Sequence, residues 1–351
     1  MNRLTRRDLL RTASAGALAS LIPADSPGQT KANPYADALL VDGEPDKPAK
    51  DSFTIVVLPD TQNYSEKFPD QYRAQTRWIA ENCRDRNIAS VLHLGDVTNR
   101  NSAEEWDNAA EAMDQLDGIV PYFMVPGNHD YSDGGACQDR SCGLSAAFPV
   151  AKFKDLPTFG GVYDREPQCL ENSFHLFTAG GRDFLSLCLE FGPRRDVVRW
   201  ANEVVSQHKN RAVILTTHAY IYFDDSRYNW ESYGAKQNWN PHSYGIAKNT
   251  DDDVSDGEEL WNNLVAKHEN FILTLNGHVL GDGLGRMVSR TPGGRDVHQM
   301  LVNFQMRPNG GDGWLRLLEF RSDGKTVNAC DYSPTLNQRN ESPQNKFQLA
   351  I

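Results

Sequence analysis

The stretch Phe53-Thr54-Ile55-Val56-Val57-Leu58-Pro59-Asp60-Thr61-Gln62 sets the architecture of this chain. Its first six residues are apolar or β-branched without polar alternation, the pattern of a strand covered on both faces. Asp60 and Gln62 follow at its carboxyl end. The same arrangement recurs downstream. Residues 88–94 run into Gly95-Asp96-Val97-Thr98-Asn99-Arg100, and residues 120–125 into Pro126-Gly127-Asn128-His129-Asp130. Residues 212–217 end in His218, and residues 271–275 in Asn276-Gly277-His278. Helical spacing fills the intervals at 72–84, 103–116, 195–207 and 257–268, the second with Ser102 and Glu105 placed for a capping box. Further strands are expected at 173–177, 184–189, 297–304, 314–320 and 326–331. This alternation predicts an α/β layered domain with parallel pairing in at least one sheet.

The remainder divides around that domain. Residues 31–52 are polar and proline-rich and read as a linker; 53–335 form the domain, and 336–351 a polar tail. Residues 131–172 and 219–256 are long irregular insertions, which in a compact domain usually carry function. Thr5-Arg6-Arg7-Asp8-Leu9-Leu10-Arg11, followed by an Ala-rich apolar stretch, resembles a twin-arginine signal. That resemblance implies that residues 1–30 direct the folded protein through the twin-arginine translocase, to the periplasm or the outside. Hydrophobic residues make up 39% and the formal charge is −11, so the basic footprint needed to bind a nucleic-acid duplex is missing. Of the six cysteines, Cys137 and Cys142 flank a short polar loop and are the pair expected to bridge in an oxidising compartment.

Open α/β sheets bind ligands at the carboxyl ends of their strands. Five strand ends here carry carboxylate, amide and imidazole groups, a mixture that suits Mn, Fe or Zn better than Ca or Mg. Taken singly, Asp60 and Asp96 could be helix N-caps, His218 a satisfied core histidine and Asn128 a turn former. Five strand ends would all have to imitate ligands together, which favours a divalent-metal site of one or two ions.

The order of these segments resembles the calcineurin-like metallophosphoesterases, whose pattern is Asp-x-His, Gly-Asp-x-x-Asp, Gly-Asn-His-Asp/Glu, a lone His and Gly-His-x-His. The resemblance implies a layered fold, a central β-sandwich of mixed sheets flanked by helices. It makes Asp96 the carboxylate shared by two metals, with Asn128, His218 and His278 completing one site and Asp60 belonging to the other. His129 would act at the leaving group and Arg100 on phosphate oxygens, although a solvated surface role for Arg100 is equally open.

Three family positions differ. Gln62 and Leu280 stand where the family has histidines, and Asn99 where it has an aspartate that orients the catalytic imidazole. Gln62 can still offer an oxygen, and Asp282, two residues beyond Leu280, either ligates the second metal, directly or through one of its waters, or is a turn residue. The expected activity is hydrolysis of a phosphate mono- or diester, with a nucleotide or phosphosugar among the open substrates. A secreted, non-catalytic binding protein keeping the fold and one metal is the alternative.

Overall fold

The computed structural model describes residues 35, 36 and 38–351, so the expected export signal lies outside the described residues. Fifteen strands run β1 Leu40–Asp42, β2 Phe53–Leu58, β3 Ile88–His93, β4 Tyr122–Met124, β5 Phe159–Val162, β6 Ser173–Ala179, β7 Arg182–Leu189, β8 Ala212–Thr217, β9 Phe271–Asn276, β10 Leu284–Arg290, β11 Asp296–Val302, β12 Leu315–Phe320, β13 Thr326–Ser333, β14 Gln338–Asn340 and β15 Lys346–Ala350. The principal helices are α1 Gln62–Lys67, α2 Pro69–Asn82, α3 Ala103–Met113, α4 Arg195–Gln207 and α5 Gly257–Asn263.

Two mixed sheets face one another. One has the order β1-β14-β13-β12-β2-β3-β4, with β15 also on β13, and the other β10-β11-β9-β8-β7-β6-β5. Strands β2, β3 and β4 are parallel, as are β7, β8, β9 and β11. The unbroken apolar runs follow from layering. Ile55 and Val57 point between the sheets toward Ile214 and Leu273, while Val56 and Leu58 point outward to Tyr72 and Ile79 of α2. Val197, Ala201, Val204 and Val205 recur at helical spacing and lay α4 on the second sheet. Ser102 and Glu105 close the expected capping box on α3. The layered expectation holds.

Several segments differ from expectation. The 31–52 linker contributes β1, and the 336–351 tail contributes β14 and β15, which pair with β13. Strands this short and polar sit on or near a sheet margin, where period-two burial leaves little trace in sequence. The helix expected at 257–268 is shorter, passing from α5 into a 3₁₀ turn at Val265–Lys267. All six cysteines are unbridged, so Cys137 and Cys142 do not form the expected disulfide. Instead Cys142 pairs by backbone with Tyr131, and Cys137 N–H donates to Tyr131 O at 3.1 Å.

An ion pair lies inside the sandwich. Arg316 of β12 meets Asp331 of β13 in two 2.7 Å bonds, both side chains fully buried. Asn345 Nδ2 donates to Asp331 and Arg316 to Gln344 O, tying the chain before β15 to the core.

Candidate metal centre

The carboxyl ends of β2, β3, β8 and β9 converge. Asp96, His218 and His278, all buried, bring one ligand-type atom each to within 4.8 Å of one another. Turns between strand and ligand make this approach possible. A β-carbon on Gly127 would lie 2.2 Å from Asp96 N, and one on Gly277 would lie 2.0 Å from Asp60 Oδ1. Any other residue at either place would force the loops apart.

Each imidazole has one nitrogen already fixed. His218 Nδ1 donates to Leu94 O at 2.7 Å, and His278 Nε2 donates to Trp239 O at 2.7 Å. Carbonyl partners of this kind set the tautomer and leave the opposite nitrogen as a ligand. His218 Nε2 lies 3.2 Å from Asp96 Oδ1 yet has no hydrogen-bond partner, and buried Asn128 Oδ1 and Gln62 Oε1 have none either. Orphaned buried acceptors are costly, and cations beside Asp96 would supply the missing partners. The donor set therefore fits a divalent metal, which Asp96, Asn128, His218 and His278 would hold.

The buried charges lean on one another. Burial opposes ionisation of Asp96, but the His218 and His129 imidazoles outweigh it and hold the carboxyl below its usual range. Burial also opposes charge on His218, yet Asp96 and Asp60 raise it to about 9. Burial pushes Asp60 well up, assisted by repulsion from Asp96.

Asp60 is held differently. It accepts from His278 N–H at 3.0 Å and from Asn303 Nδ2 at 2.8 Å, so it also anchors the turn that presents His278. His93 accepts from Gly95 N–H at 3.2 Å and donates from Nε2 to Thr61 Oγ1 at 3.0 Å, a supporting role beneath the site. Asp130, in the same motif as Asn128, accepts from Val97 N, Thr98 N and Gly127 N at 2.7–3.0 Å and fastens the two ligand loops together.

His129 lines the open cleft above the metal residues with Gln62, Asn63, Trp239, Tyr244, Leu280, Gln305 and Met306, around a cavity of about 250 Å³. Its N–H donates to Asp96 Oδ1 at 2.9 Å, and its ring Nδ1 donates to the backbone carbonyl of Asn99 at 2.9 Å. The Asn99 side chain does not orient the ring. It donates to Glu66 Oε2 at 2.9 Å, and Arg100, largely exposed, pairs with Glu66 Oε1 at 3.0 Å. Arg100 is not among the residues lining the cleft. Asp282 accepts from Leu284 N–H at 3.1 Å and stands outside the carboxylate–imidazole group.

The insertion 219–256 covers the His278 side. Trp239 adopts a left-handed φ of +65°, which turns its carbonyl onto His278. His242 is clamped between Asp252 Oδ1 at 2.7 Å and Glu259 Oε2 at 2.9 Å. Burial resists its charge, but Glu259 and Asp252 raise it to about 9. Asp256 beside it is spent as the N-cap of α5.

Residues 53–316 match the family model described as calcineurin-like phosphoesterase. The chain belongs to the calcineurin-like phosphoesterase family. It is 30% identical over 336 residues to the uncharacterized protein YvnB of Bacillus subtilis, a match covering 92% of this chain and 22% of that protein. The chain thus spans about a fifth of that relative's length. Among solved structures it is similar to the purple acid phosphatase PPD1 of yellow lupin, with 12% identity and a TM-score of 0.47 over 87% of this chain and 55% of that one. It is also similar to a 5'-nucleotidase precursor of Thermus thermophilus, with 14% identity and a TM-score of 0.43 over 86% and 54%.

Proposed function

We propose that this calcineurin-like phosphoesterase hydrolyses a phosphate mono- or diester of an organic alcohol. The observation that carries the reading is the pair of orphaned acceptors Asn128 Oδ1 and His218 Nε2 around Asp96, with His129 beside them on the cleft wall. A divalent metal held there would supply polarisation of the phosphoryl group and a lowered pKa for the attacking water. The chain's own residues do the rest. Asn99 O holds the His129 ring with Nδ1 protonated and Nε2 toward the cleft, so that the doubly protonated ring can give its Nε2 proton to the leaving oxygen and be left as the neutral Nδ1–H tautomer. Trp239, Tyr244, Leu280 and Met306 give the cleft an apolar wall suited to an organic leaving group rather than free inorganic phosphate.

The test is turnover of p-nitrophenyl phosphate and bis-p-nitrophenyl phosphate with Mn2+, compared with His129→Ala. Metal binding with no turnover of either ester overturns hydrolysis. It would favour the binding-protein reading, to which the apolar Leu280 points. We also infer export, carried by Arg6 and Arg7. Replacing both with Lys should retain precursor in the cytoplasm, and unimpaired export overturns that inference.

A further inference from the structure

We infer that Gln305 is a ligand of the second metal position, completing with Gln62, Asp60 and Asp96 an all-oxygen site for a hard divalent cation. This rests on the phosphoesterase reading of the cleft. Strand β11 runs parallel to β9, with Leu301 beside Asn276, so its carboxyl end opens on the same edge that presents His278. Residues Asn303-Phe304-Gln305 follow that end directly. Gln305 is 8% exposed and lines the cleft with Gln62, Asp96 and Leu280.

Its backbone is fixed on both sides. Gln305 N–H donates to Asn303 Oδ1 at 2.9 Å, and Gln305 O accepts from Asn63 Nδ2 at 3.2 Å. The same Asn303 donates to Asp60 Oδ2, so one residue sets the position of both Asp60 and Gln305. The Gln305 side-chain amide itself makes no hydrogen bond among the described residues, and neither does buried Gln62 Oε1. Gln62 Oε1 is buried and unpartnered on the cleft that Asp96 lines, and the Gln305 amide stands on the same cleft, placed to share its cation. Oxygen donors alone select hard cations such as Mn2+ or Mg2+ over Zn2+. Asp282, by contrast, already spends Oδ1 on the Leu284 amide of its own turn.

The experiment titrates Mn2+ into the metal-stripped full chain without substrate, read by calorimetry and by the electron paramagnetic resonance of coupled Mn2+ pairs. Wild type should bind one ion tightly and a second weakly. Gln305→Ala should weaken only the second ion, by about tenfold or more, and abolish the coupled signal. Gln305→Glu should tighten the second ion beyond wild type, a gain that misfolding cannot produce. Asp282→Asn should leave both ions unchanged. An unaltered second affinity in Gln305→Ala, or a second ion lost only in Asp282→Asn, overturns the inference while leaving the phosphoesterase reading standing. Failure of wild type to bind any ion overturns both.

Discussion

On one side of Asp96 stand two imidazoles, each with its outer nitrogen fixed by a backbone carbonyl, and an asparagine oxygen. On the other side stand Asp60, held by neutral donors, and the amide of Gln62, with Leu280 filling the place of a family histidine. The first half presents oriented nitrogen and oxygen lone pairs, the kind a borderline metal would take. The second offers only oxygen and fewer oriented lone pairs. The difference teaches that backbone carbonyls fix the imidazole half, while nothing of that kind holds Gln62 Oε1.

The largest test removes what the halves share. Asp96→Ala should lose bound metal from both positions and lower turnover by about three powers of ten or more, as expected when several kcal/mol of metal-derived stabilisation is lost. Elemental analysis showing full metal content would break the comparison at its root. Next, His129→Ala should lower kcat by about two to four powers of ten with metal content intact, because His129 lies above both halves and ligates neither. His218→Ala and Gln62→Ala then separate the halves, the first weakening the tight ion and the second only the weak one, each by at least about tenfold.

A smaller effect comes from the insertion over the imidazole half. His242 is raised to about 9 in the fold against an ordinary 6.5, so its contribution is full below pH 6.5 and is lost as pH rises through about 9. His242→Gln should therefore cost about 1–3 kcal/mol of stability near pH 6 and much less near pH 10, read from denaturant midpoints. A pH-independent difference would exclude the ionic clamp. The smallest effect is Asn99→Ala. Since a backbone carbonyl orients His129, kcat should change by less than about threefold, and a drop of the size seen for His129→Ala would show that the amide matters after all.

These pairings show where sequence reading reached and where it stopped. The buried strands were legible because both faces are covered, which writes unbroken apolar runs such as 53–58 and 212–217. Strands β1, β5, β10, β14 and β15 were not, being short, polar or glycine-containing. The ligand-bearing strand ends were visible by residue type and order. The hold on His129 was not, because any residue at position 99 supplies the same carbonyl. Asn303 and Gln305 fit no motif, yet the rule that marks polar groups at strand ends applies to β11 as well and would have found them.

The left-handed Trp239 has a further consequence for anyone reshaping this molecule. The proton on His278 is assigned by a carbonyl that belongs to a different excursion of the chain, folded some forty residues earlier. Shortening 219–256 to make a leaner scaffold would leave every ligand side chain in the sequence, while taking buried residues such as Tyr220, Tyr228 and Ile246 out of the core. It would still erase the instruction that tells His278 which nitrogen to offer, so the excursion is wiring for the metal rather than ornament on the fold.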